Sequence, residues 1–272
     1  MKVKHENLKI LILFLVVTIM TTLLLLMIIS PAKPLLNVSG TEAIPELQEL
    51  NIVAIGDSIT EGVGDTTNSG GYVPILQKAL LETNSFESVN IKNHGDSGDT
   101  VRDLINLLNS NDTIQKDIKN ASIILITIGS NDLMKVVKGN LLNQLSTSMF
   151  DKPKEQYTSD IKELFDLLRK LNADAAIFQL GIYNPYYKAL ANITELNAIA
   201  NDWNTVTNDI ISKQDNAFFV PILEQMQEED PTLNSLLSEV DNFHPNDVGY
   251  QVIAKTFRDK IMETKEKWEQ NL

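Results

Sequence analysis

The tripeptide Gly-Asp-Ser occurs twice, as "VAIGDSITEG" from Val53 to Gly62 and within "KNHGDSGDT" from Lys92 to Thr100. Each copy sets a hydroxyl beside glycine, and a serine hydroxyl attacks a carbonyl only when a base takes its proton. The chain holds three histidines, His5, His94 and His244, and no cysteine. Thiol nucleophiles, disulfides and cysteine-ligated metals are therefore excluded, and a multi-histidine zinc site is hard to assemble. His5 precedes a long apolar run, which leaves His94 and His244 as bases.

His244 has the better context. In "DNFHPND", Asp241 lies three residues ahead of His244, and Pro245 and Asn246 introduce a helix. A carboxylate on one ring nitrogen leaves the other free to accept a serine proton, and stabilises the imidazolium that forms. The alternative is a loop aspartate capping a turn beside a solvated histidine. For Ser97, "HGDSGD" superficially matches the serine neighbourhood of trypsin-like proteases. That chemistry needs an upstream histidine and aspartate on an all-β double barrel, which this chain lacks, so Ser58 is the expected nucleophile. Gly98 offers instead an unobstructed backbone N–H, or simply a turn into a helix. Asn131, in "TIGSND", carries an amide that can reach an oxyanion, or serves as an ordinary turn residue.

These residues need a frame. Apolar runs of strand length recur at 51–55, 88–91, 122–128, 175–180 and 217–222. "IILITI" is continuous, as expected of a parallel strand covered on both faces. Between the runs, "YVPILQKALLE", "TVRDLINLL" and "DIKELFDLLRKL" have helical spacing, Ile193, Leu196, Ile199, Trp203, Val206 and Ile210 share a face, and a final helix follows Asn246. Five strands alternating with helices predict an α/β fold, a three-layer α/β/α sandwich around a five-stranded parallel sheet. Ligands of such sheets bind beyond the carboxyl ends of the strands, which is where Ser58, Gly98 and Asn131 all fall.

Residues 10–29 carry no charge, about the ~20 residues that a helix needs to span a bilayer. Lys2, Lys4 and Lys9 precede the run and Lys33 follows it, which predicts an inside N-terminus. The expected organisation is a basic cytoplasmic tail (1–9), a transmembrane signal anchor (10–29), an extracytoplasmic linker (30–49) and a catalytic domain (50–272). A cleaved signal peptide, giving a secreted protein, is the rival. The formal charge of −13 makes nucleic acid an improbable partner. Oligomeric state is left open. The apolar stretch 133–150 reads either as a mobile cover for an acyl chain or as a helix packed on the sheet. Tyr183, Tyr186 and Tyr187 are candidates for a pocket wall.

With these motifs in hand, the chain resembles the GDSL/SGNH hydrolase family from about Leu50 to the C-terminus. The family's blocks appear in order as "GDSITEG" with Ser58, "SGDT" with Gly98, "GSND" with Asn131 and "DNFHP" with Asp241 and His244. "GDSITEGVGD" and "GIYNPY" are most similar to its bacterial membrane-attached or secreted lipase/acylhydrolase branch. The resemblance implies a flavodoxin-like sheet, no metal or organic cofactor, and hydrolysis of a carboxylic ester, from lipid, glycan or a small acyl compound. Ser58 would be the nucleophile, His244 the base, Asp241 its orienter, and Ser58, Gly98 and Asn131 the oxyanion hole. Two other functions fit the same pattern: an FMN-type cofactor binder, using the hydroxyls and glycines of the first loop, and a non-catalytic surface binding module.

Overall fold

The computed structural model of the chain describes residues 2–29, 47–139, 147–187, 195–227 and 236–271. It divides into two units, Met1–Glu46 and Leu47–Leu272. The first contains helix α1 (Lys2–Ile29). Its residues 11–25 are exposed, and its threonine hydroxyls bond back to carbonyls of the preceding turn, as from Thr22 Oγ1 to Thr18 O at 2.7 Å. The stretch 11–25 covers about 22 Å of helix axis against a hydrocarbon core of ~30 Å. Among the described residues no helix is long and apolar enough to cross a membrane. The expected linker lies almost wholly outside the described residues.

The second unit is built on five parallel strands, β1 (Gln48–Gly56), β2 (Phe86–Gly95), β3 (Ile123–Thr127), β4 (Ala176–Leu180) and β5 (Ala217–Val220), in the order β2-β1-β3-β4-β5. This is the flavodoxin-like order, with its switch point between β1 and β3. Strand β3 shows why the sheet must be covered twice. All its residues are buried; Ile124 and Ile126 enter one core, Ile123 and Leu125 the other. The first core is closed by α4 (Val101–Ser110), α5 (Asp112–Lys119), α6 (Ser130–Gly139), α7 (Asp151–Leu171) and α8 (Glu195–Ile211). The second is closed by α3 (Tyr72–Leu81), α9 (Asp247–Glu263) and α10 (Lys265–Trp268). The short turn α2 (Ser58–Glu61) lies at the end of β1. The expected three-layer sandwich is thus the observed one.

Caps fix where the helices begin at this edge. Thr100 and Asp103 form a reciprocal capping box at α4. Asn246 accepts from the N–H groups of Val248 and Gly249 at 3.0 and 2.9 Å, starting α9 three residues after His244.

Element boundaries differ from the sequence reading where apolar pattern and pairing part company. Strand β2 extends through Lys92, Asn93 and His94, because each pairs in register with β1 although none is apolar. Helix α5 was not expected; Asn111 caps it, and Ile114 and Ile118 are its apolar residues in the core. Helix α7 begins at Asp151, earlier than its apolar spacing. Within 133–150, Leu133, Met134 and Val137 are buried on α6, which matches the packed-helix reading for that part. Residues 140–146, the middle of the candidate cover, lie outside the described residues, as does Ile193.

Candidate active site

Strand β1 ends on Gly56, whose φ is +141° and whose missing Cβ would stand 2.0 Å from the Thr127 carbonyl oxygen. Only glycine lets β1 pass β3 so closely before the chain turns. The Asp57 N–H donates to Thr127 O at 2.9 Å, and the Asp57 side chain accepts from Ile59 N–H at 3.1 Å. The α2 turn that follows opens with Ser58, so its N–H precedes the first bond of the turn, Glu61 N–H to Asp57 O at 3.0 Å. From β2, Asn93 Nδ2 donates to Thr60 O at 2.6 Å, pinning the turn from the side.

The imidazole meets the hydroxyl from the far end of the chain. His244 Nε2 stands 2.9 Å from Ser58 Oγ, and His244 Nδ1 stands 2.6 Å from Asp241 Oδ2. Asp241 Oδ1 also accepts from the backbone N–H groups of Phe243 and His244 at 2.9 and 3.1 Å, which turns the carboxylate toward the ring. The segment is held on three sides. Ser238 N–H donates to His244 O at 2.8 Å, and Tyr183 Oη donates to Phe243 O at 2.8 Å. The Phe243 ring meets the imidazole edge-on at 5.0 Å. Opposite, Gly64 (φ +96°) touches the segment so tightly that a Cβ would lie 2.4 Å from Pro245 O and 3.1 Å from His244 Cβ. Thr66 ties this loop to α9, its N–H and hydroxyl donating to Asp247 at 2.8 and 2.5 Å.

Asn131 lies in the first turn of α6, and its Nδ2 donates to Asp99 O at 2.9 Å. That contact joins it to the loop carrying Gly98, which is exposed and whose N–H has no partner among the described residues. The Gly95 end of the same loop packs against α2, where a Cβ would lie 2.2 Å from Glu61 N. The other serine and histidine are elsewhere engaged or idle. Ser97 is exposed, and His94 Nε2 pairs with Asp117 at 2.9 Å beside Lys92.

Several carboxyls here are shifted by their surroundings. Burial pushes Asp57 up to about 7, against hydrogen bonds from Ile59 and Thr127, and its Oδ2 has no partner among the described residues. Burial also raises Asp132 to about 6, although Val101 N–H donates to it. Asp241 goes the other way. Partial burial raises it, but the bonds from the His244 ring and the Phe243 and His244 N–H groups outweigh that and hold it below the ordinary carboxylate range.

A small pocket opens beside Ser58 and Asn131, walled by Leu133, Met134, Ile182, Tyr183 and Phe243. Its free volume is about 10 Å³, on the scale on which one water molecule needs ~10–15 Å³. A larger groove of about 610 Å³ lies between α3 and α9, but neither Ser58 nor His244 lines it. Chemistry rather than size therefore picks the smaller cavity. Of the three tyrosines, Tyr183 is a pocket wall; Tyr186 packs on Phe243 at 6.2 Å between centroids, and Tyr187 packs on the second core.

The structure thus brings Ser58, His244 and Asp241 into one hydrogen-bonded succession and joins the loops of Gly98 and Asn131 beside it. Sequence reasoning missed Asp57, Asn93 and Gly64, which hold that succession in place, and gave Tyr183 only as a pocket wall, not as the donor to Phe243 O. Gly64 carried a signal in the run Gly62-Val63-Gly64; the others carried none beyond their place at strand ends.

Comparison with known proteins gives the family and the fold. The Bacillus subtilis (strain 168) protein YpmR, itself described as uncharacterized, is 34% identical over 208 residues, covering 76% of this chain and 80% of that one. The lipase Lip_vut3 from a goat rumen metagenome has the same fold, with a TM-score of 0.66 at 21% identity over 77% of this chain and 96% of its own. A catalytic mutant of Axe2, an acetylxylan esterase from Geobacillus stearothermophilus, aligns with a TM-score of 0.57 at 21% identity over 79% and 94%. At these identities the two structures speak for the fold. The sequence model of the GDSL-like Lipase/Acylhydrolase family matches residues 54–252, nearly the whole second unit from β1 into α9, and the chain belongs to that family.

Proposed function

We propose that this family member is an active serine esterase that cleaves carboxylic esters through an acyl-enzyme on Ser58. The observation that carries the reading is the unbroken Ser58–His244–Asp241 succession at 2.9 and 2.6 Å. With the Nδ1 proton held by Asp241, His244 Nε2 accepts the Ser58 proton as Oγ bonds to the ester carbonyl carbon. The oxyanion is received by the N–H groups of Ser58 and Gly98 and by Asn131 Nδ2, which has a second proton beyond the one given to Asp99. His244 then protonates the departing alkoxide as the C–O bond breaks. Water repeats the sequence on the acyl-enzyme and releases the acid. A fluorophosphonate probe tests this directly. Labelling is expected in the wild type and lost in Ser58→Ala, together with hydrolysis of p-nitrophenyl acetate; a wild-type protein that neither labels nor hydrolyses overturns it and favours a binding module.

The uncharged sequence 10–29 and the exposed apolar side chains of 11–25 support a further part of the proposal, that α1 attaches the enzyme to the cell membrane with its catalytic unit outside. Fractionation of the full-length protein is expected to place it with membranes resistant to carbonate and salt. Recovery in the soluble fraction with an intact N-terminus refutes the attachment.

A further inference from the structure

We propose that the acyl side of the substrate is short, an acetyl or propionyl group, and that Leu133, Met134, Ile182 and Tyr183 set this limit. The inference rests on the esterase reading and concerns which ester the same site takes.

Three groups surround the ester carbonyl carbon once Ser58 Oγ is bonded to it, and the site allots each a direction. The carbonyl oxygen faces Asn131 and the N–H groups beside it. The alkoxide oxygen must stand at His244 Nε2, the atom that returns its proton. The acyl carbon takes what remains. Ser58 and Asn131 are among the residues lining the pocket and His244 is not, so its contents lie away from the leaving group. It is therefore the place of the acyl chain.

Its size then decides the chemistry. About 10 Å³ of free volume holds one water-sized group, which suits a methyl. The walls are not free to retreat. Ile182 is 2% exposed, and both its backbone groups are bonded to the Asn204 side chain, at 2.7 and 2.8 Å. Tyr183 is tied through its hydroxyl to Phe243 O at 2.8 Å. Leu133 and Met134 are buried on α6 against the first core. Close-packed surroundings of this kind resist added methylenes rather than yielding to them. Met134, unbranched and with no hydrogen bond to hold it, is the wall whose removal lengthens the pocket without touching the reacting groups.

The test is a series of p-nitrophenyl esters from acetyl to dodecanoyl with the full-length protein, read as kcat/KM. The expected result is a maximum at acetyl or propionyl and a fall of at least about 10-fold by butyryl and about 100-fold by octanoyl, the range over which a pocket discriminates single methylenes. Met134→Ala is expected to move the maximum to longer chains by two or three carbons, raising hexanoyl relative to acetyl about 10-fold. Leu133→Ala serves the same arm should Met134→Ala fail to fold. Octanoyl turned over as well as acetyl, or a folded variant with an unchanged chain-length profile, overturns the acyl limit while leaving the esterase reading intact. Absence of both turnover and fluorophosphonate labelling overturns the esterase reading, and the limit with it.

Discussion

Replacing Asp57 by Asn is expected to stabilise the folded protein at neutral and alkaline pH, although it alters the residue beside Ser58. Burial lifts this carboxyl from 3.8 to about 7, because ionising it places a charge where Oδ2 has no partner. Between those two values the folded protein retains a proton that the unfolded chain has released. Folded molecules bind more protons there, so stability falls as pH rises through the window and levels off above about 7. A shift of about three units corresponds to about 4 kcal/mol lost by pH 8. The amide of Asn is neutral at every pH, and its Oδ1 still accepts from Ile59 N–H and Thr127 Oγ1. At Oδ2 it places a donor where the protonated acid also has one, so the two side chains are near equal at pH 4. Asp57→Asn should therefore match the wild type at pH 4 and exceed it by about 3–4 kcal/mol at pH 8, a rise in Tm of about 8–15 °C for a unit of this size. Thermal unfolding of the full chain at the two pH values, followed by far-ultraviolet circular dichroism, measures both. Equal stability at pH 8, or the same difference at both pH values, would show that Asp57 is not a buried group held neutral by its surroundings.

Two further substitutions probe the geometry around Ser58. Gly64→Ala places a Cβ at 2.4 Å from Pro245 O in a backbone at φ +96°, so the His244 segment must move. A displacement of about 1 Å costs on the order of 100-fold in kcat; stopped turnover assays with kcat unchanged would mean that the 62–71 loop does not position the base. Asn131→Ala removes the amide proposed as an oxyanion donor and the bond to Asp99 O. Turnover is expected to fall 10²- to 10³-fold, on the order found for single oxyanion donors, with little change in KM and an intact circular dichroism spectrum. A rise in KM at constant kcat would instead assign Asn131 to ground-state binding.

How much of this was legible in the sequence depends on whether a residue acts through its own strand or through a neighbour's. Strand β3 announces itself, because Ile123 to Ile126 must be apolar on both faces wherever the strand sits in the sheet. Ser58 and Asn131 follow directly, since each comes after a strand whose carboxyl end is already fixed by the parallel fold. His244 was found by a different route, by being the base with a carboxylate three residues away and a helix start behind it. The residues that stayed hidden are those whose meaning comes from adjacency across the sheet. Strand β2 continues through Lys92, Asn93 and His94 because β1 offers it hydrogen bonds there, a fact of pairing that no apolar pattern encodes. Asp57 looks like any turn aspartate until β3 is laid against it and Thr127 closes over its carboxyl. The pocket beside Ser58 is the extreme case. Ser58 and Ile59 follow β1, Leu133 and Met134 follow β3, Ile182 and Tyr183 follow β4, and Phe243 precedes α9, so its lining comes from four separate segments. The order β1-β3-β4 puts three of them side by side, and the bond from Tyr183 to Phe243 O draws in the fourth. Candidate catalytic groups can thus be read from local chemistry, whereas the volume beside them is a property of the assembled sheet, which is why reaction type precedes substrate in what such a sequence reveals.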